Sequence, residues 1–307
     1  MSLGVLNNLN AIYATNNLNN TNSALTNVLQ QLSSGSRINS GADDAAGLAL
    51  VNGLAANSAA LTQSATNATE GVGLLKVADG ALSQVTNLLN RAVTLATESS
   101  NGTLNSSQLT AANQEYQSIL AEINNIGSTS TYNQTQVFGQ GSAATVSIYA
   151  GDSSSSGSAI DNLNFAQLSS SSVGDAGGSV SLTAATASTA ATITYTAATS
   201  NASVDLTSAD ISTTSGAQAT LTLLNQAIAS VAAQQGYIGS QINTLNAESQ
   251  VISTQQQNLV AAQNAIQATD YAQATSNLSK YEILSQTGIS ALAQANSLQQ
   301  EVVKLLQ

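Results

Sequence analysis

Residues 224–266 read LNQAIASVAAQQGYIGSQINTLNAESQVISTQQQNLVAAQNAI, and this stretch decides the fold. Every seventh residue from Leu224 is aliphatic: Val231, Ile238, Leu245, Ile252, Leu259 and Ile266 follow. A second lane, offset by four, holds Ile228, Gln235, Ile242, Ser249, Gln256 and Gln263. The two lanes alternate steps of four and three, a mean period of about 3.5, which keeps one seam of a helix against a partner. At about 1.5 Å per residue the helix is a rod of roughly 65 Å. A rod with one apolar seam cannot leave water alone, so the chain must supply a second seam of similar length.

That seam lies in the N-terminal half. Leu61, Ala65, Ala68, Val72, Leu75, Ala78, Leu82, Val85, Leu89, Ala92 and Ala96 repeat with the same mean spacing. They predict a long helix that opens at about Ala42, with Ser40 and Asp43 as a capping box and Asp44 in the first turn. It closes near Ser99, before the Asn-Gly-Thr break at 101–103. A third helix is expected over 106–127, with Leu109, Tyr116, Ile123 and Ile126 on its apolar side. The simplest pairing sets the 61–96 seam against the 224–266 seam.

The chain ends carry a second pair. Leu3, Leu6, Leu9, Tyr13, Leu18, Leu25, Val28 and Leu32 fall at helical spacing. The opposite face is mostly Asn, Ser and Thr, poor helix formers, so this segment is expected to be helical only when packed. Between Gln263 and Lys280 both C-terminal lanes turn polar. A re-phased seam follows: Tyr281, Leu284, Gly288, Ala291, Ala295, Leu298, Val302 and Leu305. The 3–32 and 281–305 seams are expected to pair. Ile12, Leu29, Ile283, Ile289, Leu292, Val303 and Leu306, with Leu3 and Leu6, widen the apolar stripe beyond what two helices cover. Apolar surface is worth roughly 25 cal/mol per Å² when buried, so the surplus favours contact with further copies. Non-identical patches whose rotation does not close generate an open helical filament. The residues chosen for that role are Leu3, Leu6, Leu25, Leu32, Leu284, Leu298, Val302 and Leu305.

The middle changes period. Residues 135–150 alternate and read as a β-hairpin. Residues 151–216 are rich in Ser, Thr, Ala and Gly, with short alternating pieces at 179–183, 192–196 and 204–206. They read as a small β-rich insertion, with a disordered linker as the alternative. The fold class is therefore mainly α: an elongated antiparallel long-helix bundle or coiled coil built from both chain halves, with a β-hairpin and a small β-rich insertion at the distal tip. Its expected divisions are 1–43 with 270–307, then 44–174 with 216–269, and the insertion 175–215.

Composition narrows the function. Charged residues are 7% of the chain, and His, Cys, Pro and Trp are absent. A usual soluble domain is about a quarter charged. Without His or Cys the commonest general base and thiol nucleophile are missing. Asp43 and Asp44 are adjacent at a helix start, point apart and lack a third ligand. Asp152, Asp161, Asp175, Asp205 and Asp210 stand with no base or nucleophile constellation. No enzyme activity, cofactor or metal is expected. Net charge is −11, and Arg37, Lys76, Arg91, Lys280 and Lys304 are scattered. No basic stripe exists for nucleic acid or an anionic membrane. No unbroken apolar run of 18 residues or secretory signal peptide is seen, so no membrane insertion is expected.

LSSGSRINSGADDAAGLAL (32–50) and TDYAQATSNLSKYEILSQTGISALAQANSLQQEVVKLL (269–306) closely resemble the two ends of bacterial flagellins, the structural proteins of the flagellar filament. TSTYNQTQVF (129–138) and IGSQINTL (238–245) also resemble segments of that family. The resemblance implies a short form with a small variable domain. It implies a secreted, extracellular filament subunit for swimming motility, with the terminal helices in the inner core and the helical bundle outside them. It also implies unfolded export by the flagellar type III system, and an export chaperone, a filament cap and hook-junction proteins as partners. A hook–filament junction protein is the alternative. A type III-secreted translocator is a further one, but it needs an apolar helical hairpin that the sequence lacks. An animal Toll-like receptor recognises the family, and Arg91, Leu95 and Glu115 match the positions concerned, while Val93, Thr94 and Ile119 depart from them. Asn264, Ala265, Gln267, Ala268 and Ala274 stand where relatives carry more charge, so polymerisation is expected to respond weakly to pH and salt.

Overall fold

The computed structural model describes residues 8–139, 144–151, 160–165, 168–169, 172–173, 177–182, 191–196 and 204–305. Five helices dominate: α1 (Leu9–Ser34), α2 (Ala45–Ser100), α3 (Ser106–Thr129), α4 (Thr214–Gln267) and α5 (Tyr271–Leu305). The strands form four small antiparallel pairs. The fold is mainly α with long packed helices, as the seams require. The chain divides into two compact units, 57–257 and 1–56 with 258–307.

In the unit 57–257 the two predicted seams enter one core. Leu75, Leu82, Val85, Leu89 and Ala92 of α2 are sealed from solvent with Leu224, Val231, Ile238 and Leu245 of α4. Tyr116 and Ile123 of α3 join them. α3 is started by a capping box in which Asn105 and Gln108 exchange hydrogen bonds. Gly71 lets α2 approach its neighbours closely. A Cβ there would come within 3.1 Å of Ile148 and 3.2 Å of Leu245. Gln256 of α4 donates to the Thr62 hydroxyl of α2 at 2.8 Å.

The β elements correct the expected hairpin. Thr135 and Gln136 (β2) turn back onto Thr131 and Tyr132 (β1), not onto 144–150. Asn133 and Gln134 between them have φ of 47° and 64°, the two positive values that a tight two-residue hairpin turn demands. The strand at Ala144–Tyr149 (β3) pairs with Ile160–Phe165 (β4). That partner was hidden because an aspartate holds one of its inward positions: Asp161, Leu163 and Phe165 are buried. Phe165 meets Phe138 edge to face, with centroids 6.4 Å apart. Leu168–Ser169 (β5) pairs with Ser172–Val173 (β6). Gly177–Leu182 (β7) pairs with Ala191–Thr196 (β8), bringing together two of the alternating pieces. The third piece is not a strand. Val204 makes an isolated bridge to Val173, and Val204, Leu206, Ala209 and Ile211 are buried in the core.

The start of α2 also differs from expectation. Asp43 folds back, accepting from the backbone N–H groups of Asn39 and Ser40 and from the Ser40 hydroxyl. These bonds hold its carboxyl below the usual carboxylate range. Asp44 does the capping, accepting from the Gly47 N–H at 2.9 Å, and the helix begins at Ala45. By length and composition alone α2 is apolar enough to cross a membrane, where the sequence offered no unbroken apolar run. Its Leu75, Leu82 and Leu89 lie in the protein core, while the apolar 18-residue window itself is only 11% buried.

Candidate functional site

The unit formed by 1–56 and 258–307 is built on α1 and α5, which lie side by side. α1 opens on Asn8, whose side chain accepts from the Ala11 N–H and donates to the Ala295 carbonyl of α5. It closes on Gly35, which adopts a left-handed conformation with φ of 70°. Ser285 donates to Asn22 across the pair. A Cβ on Gly288 would lie 3.4 Å from Leu18, so glycine allows a close approach there. Val28 and Ala274 are buried, and Leu18, Leu25, Leu32 and Leu278 are half-buried.

The polar gap between the two C-terminal seams is a helix break stitched to the loop after α1. Arg37 donates from its backbone to Gln267 and from its guanidinium to the Ile266 carbonyl, at 2.7 and 2.8 Å. Those are terminal carbonyls of α4, where a cation also opposes the negative end of the helix dipole. Thr269 N–H donates to the Gly35 carbonyl. Tyr271 packs over Gly35 so closely that a Cβ there would lie 2.8 Å from its hydroxyl. Asp270 then caps α5, accepting from the N–H groups of Ala272 and Gln273. Sequence reading found the gap but neither the Asp270 cap nor Arg37 as its closure. The signal was a lone arginine two residues after a helix-ending glycine.

The outer faces of α1 and α5 remain apolar and uncovered. Leu9, Ile12, Tyr13 and Leu29 on α1, with Ile283, Leu284, Ile289 and Leu298 on α5, are all exposed, Ile283 to 64%. Among the residues chosen from sequence for assembly, Leu25 and Leu32 line the α1–α5 pair while Leu284 and Leu298 face outward. Val302 and Leu305 belong to α5, with side chains outside the described residues. Leu3 and Leu6 lie outside the described residues altogether, as does Leu306.

The receptor-matching set is split within the other unit. Arg91 and Glu115 form an exposed ion pair at 2.7 Å, whereas Leu95 is buried in the core. Among the described residues no three His, Cys, Asp or Glu side chains converge.

Residues 5–143 match the family described as the bacterial flagellin N-terminal helical region, and residues 221–306 match the bacterial flagellin C-terminal helical region. Flagellin of Listeria monocytogenes is 30% identical over 292 residues, which span 94% of each chain. Flagellin of Salmonella muenchen is 38% identical over 142 residues, covering 46% of this chain and 28% of the relative. The crystal structure of Bacillus cereus flagellin aligns over 64% of this chain and 94% of its own, at 21% identity and a TM-score of 0.44.

Proposed function

The chain belongs to the bacterial flagellins, a family of filament structural proteins, and from that membership we propose that it polymerises through the uncovered faces of α1 and α5 into the filament used for swimming. The observation that carries this reading is the apolar surface of the terminal pair. Leu9, Ile12, Tyr13, Ile283 and Ile289 are each more than half exposed. A second protein surface would remove these large apolar groups from water together. The division of the chain into terminal helices 1–43 and 270–307, a bundle 44–174 and 216–269, and an insertion 175–215 serves that role. The first part supplies subunit contacts and the second supplies a self-sufficient body.

The remaining parts of the reading follow from membership together with composition. The subunit is secreted, leaving the cell unfolded through the flagellar type III apparatus. The absence of Pro and Cys suits such threading, because no slow prolyl isomerisation or disulfide formation delays refolding outside. An export chaperone covers the C-terminal helix before assembly, and cap and hook-junction proteins meet the ends of the polymer. The chain does no catalysis. The exposed Arg91–Glu115 pair is the part of the receptor-matching set open to an animal Toll-like receptor.

The test is electron microscopy of the purified full-length chain incubated with short filament seeds. Long filaments growing from the seeds are the expected result. A few copies adding to seed ends without elongation would instead indicate the hook–filament junction role.

A further inference from the structure

Strand β4 sends Asp161 inward beside Leu163 and Phe165, and only 4% of the aspartate is exposed. Its Oδ2 is shielded from solvent, and so is Oε2 of Glu248 on α4. Neither oxygen meets a hydrogen-bond donor among the described residues, and the two carboxyls lie close enough to act on each other. Ionised carboxylates only accept, so the two can bond to each other only if one oxygen of the pair carries a proton. Like charges brought so close out of water also resist ionising together. Among the described residues no cation is paired with them. Tyr237, also on α4, is the other titratable group in their field. On β3 the register partner of Asp161 is Ile148. The charged groups of α2 along this part of the helix, Glu70, Lys76 and Asp79, are exposed on its surface.

We propose that Asp161 and Glu248 form a proton-dependent clamp between the β3–β4 hairpin and α4, closed while the pair shares a proton and loosened when both carboxyls ionise. The clamp belongs to the folded body of the subunit, so it stands independently of how copies assemble. Burial, then the charge and hydrogen bond of Asp161, push the Glu248 carboxyl up to about 7. Burial raises Asp161 as well, against the hydrogen bond it receives from Glu248. The folded chain therefore holds a proton that the unfolded chain releases near the ordinary glutamate value of 4.5. The stability contributed by the clamp is complete below that value. It is lost as pH rises through about 7. The chain contains no His and no Cys, so no other side chain ordinarily titrates in that window.

The experiment is thermal unfolding of the full-length monomer, followed by far-UV circular dichroism from pH 5.5 to 8.5 at constant ionic strength. The midpoint should fall by about 3–6 °C across that range. In Glu248→Gln the amide donates to Asp161 at every pH, so the slope should disappear and the midpoint at pH 8.5 should exceed that of the wild type. A flat wild-type profile, or an unchanged slope in Glu248→Gln, overturns the proposal. Should that variant fail to fold, carbon-13 titration of the wild-type carboxyl groups decides. One resonance moving near pH 7 supports the clamp, and titration of all of them below about pH 5.5 overturns it.

Discussion

The two units use the same 3.5-residue rule and reach opposite ends. In 57–257, α2 and α4 press their seams together with α3 and the β elements, and Leu75, Leu89, Leu224 and Leu245 reach zero exposure. In 1–56 with 258–307, α1 and α5 have only each other along most of their length. They bury Val28 and Ala274 yet leave Ile12, Ile283 and Ile289 more than half exposed. The difference lies in the number of neighbours, not the quality of the seam. A two-helix pair covers one stripe of each helix, and a stripe wider than that needs a third surface. One unit seals a core of its own, and the other leaves an apolar stripe exposed.

Removing 281–307 should strain that contrast most. It takes away Ile283, Leu284, Ile289 and Leu298 together with the partner of α1. Sedimentation should show no filament at any concentration, while the cooperative melting of the 57–257 unit persists. Filaments formed without α5 would break the comparison, as would loss of both transitions together.

A deletion in the middle comes next. Taking out 175–215 removes Leu206 and Ile211, both sealed in the core, at about 2–5 kcal/mol for each large side chain lost. Taking out only β7 and β8, 177–196, spares both. The shorter deletion should polymerise like the parent, and the longer one should melt well below it. Equal melting temperatures would mean that 204–211 belongs with the insertion after all.

These outcomes also bear on what the sequence made legible. Periodicity located every long helix and both seam pairings, because a seven-residue lane over forty residues admits few alternatives. It located the break between α4 and α5 but made it too long: the polar lanes run to Lys280, whereas α5 begins at Tyr271 and buries Ala274. It failed where single residues decide. Asp44 rather than Asp43 caps α2, a choice made by which carboxylate reaches a free N–H. β4 was missed because Asp161 occupies a position that pattern reserves for an apolar residue. Its acceptability depends on Glu248, 87 positions away in sequence, which no local window contains. The exposed apolar surface was legible as excess apolar width on α1 and α5. Which of those side chains face inward was not, since Leu25 and Leu284 look alike until the helices are paired.

Single substitutions sharpen the contrast further. Leu89→Ala opens a cavity in a sealed core and should cost about 3 kcal/mol in denaturant unfolding of the monomer. Ile289→Ala removes similar bulk from a side chain that is 52% exposed. Its effect on the monomer should stay within about 0.5 kcal/mol, whereas the concentration needed for polymerisation should rise several-fold. If the two variants destabilise the monomer equally, Ile289 is already buried by some contact within one chain.

The smallest effect is expected at Arg91 and Glu115. Both side chains are about half exposed, and their ion pair lies in high dielectric. Exposed pairs of this kind contribute roughly 0–1 kcal/mol and are screened by salt. Arg91→Ala should therefore lower monomer stability by less than about 0.5 kcal/mol, a difference that vanishes at about 1 M salt. Filament yield should not change, because the pair belongs to the unit that seals a core of its own. A clear loss of polymerisation in Arg91→Ala, at unchanged monomer stability, would extend the assembly surface from the terminal helices onto α2 and α3.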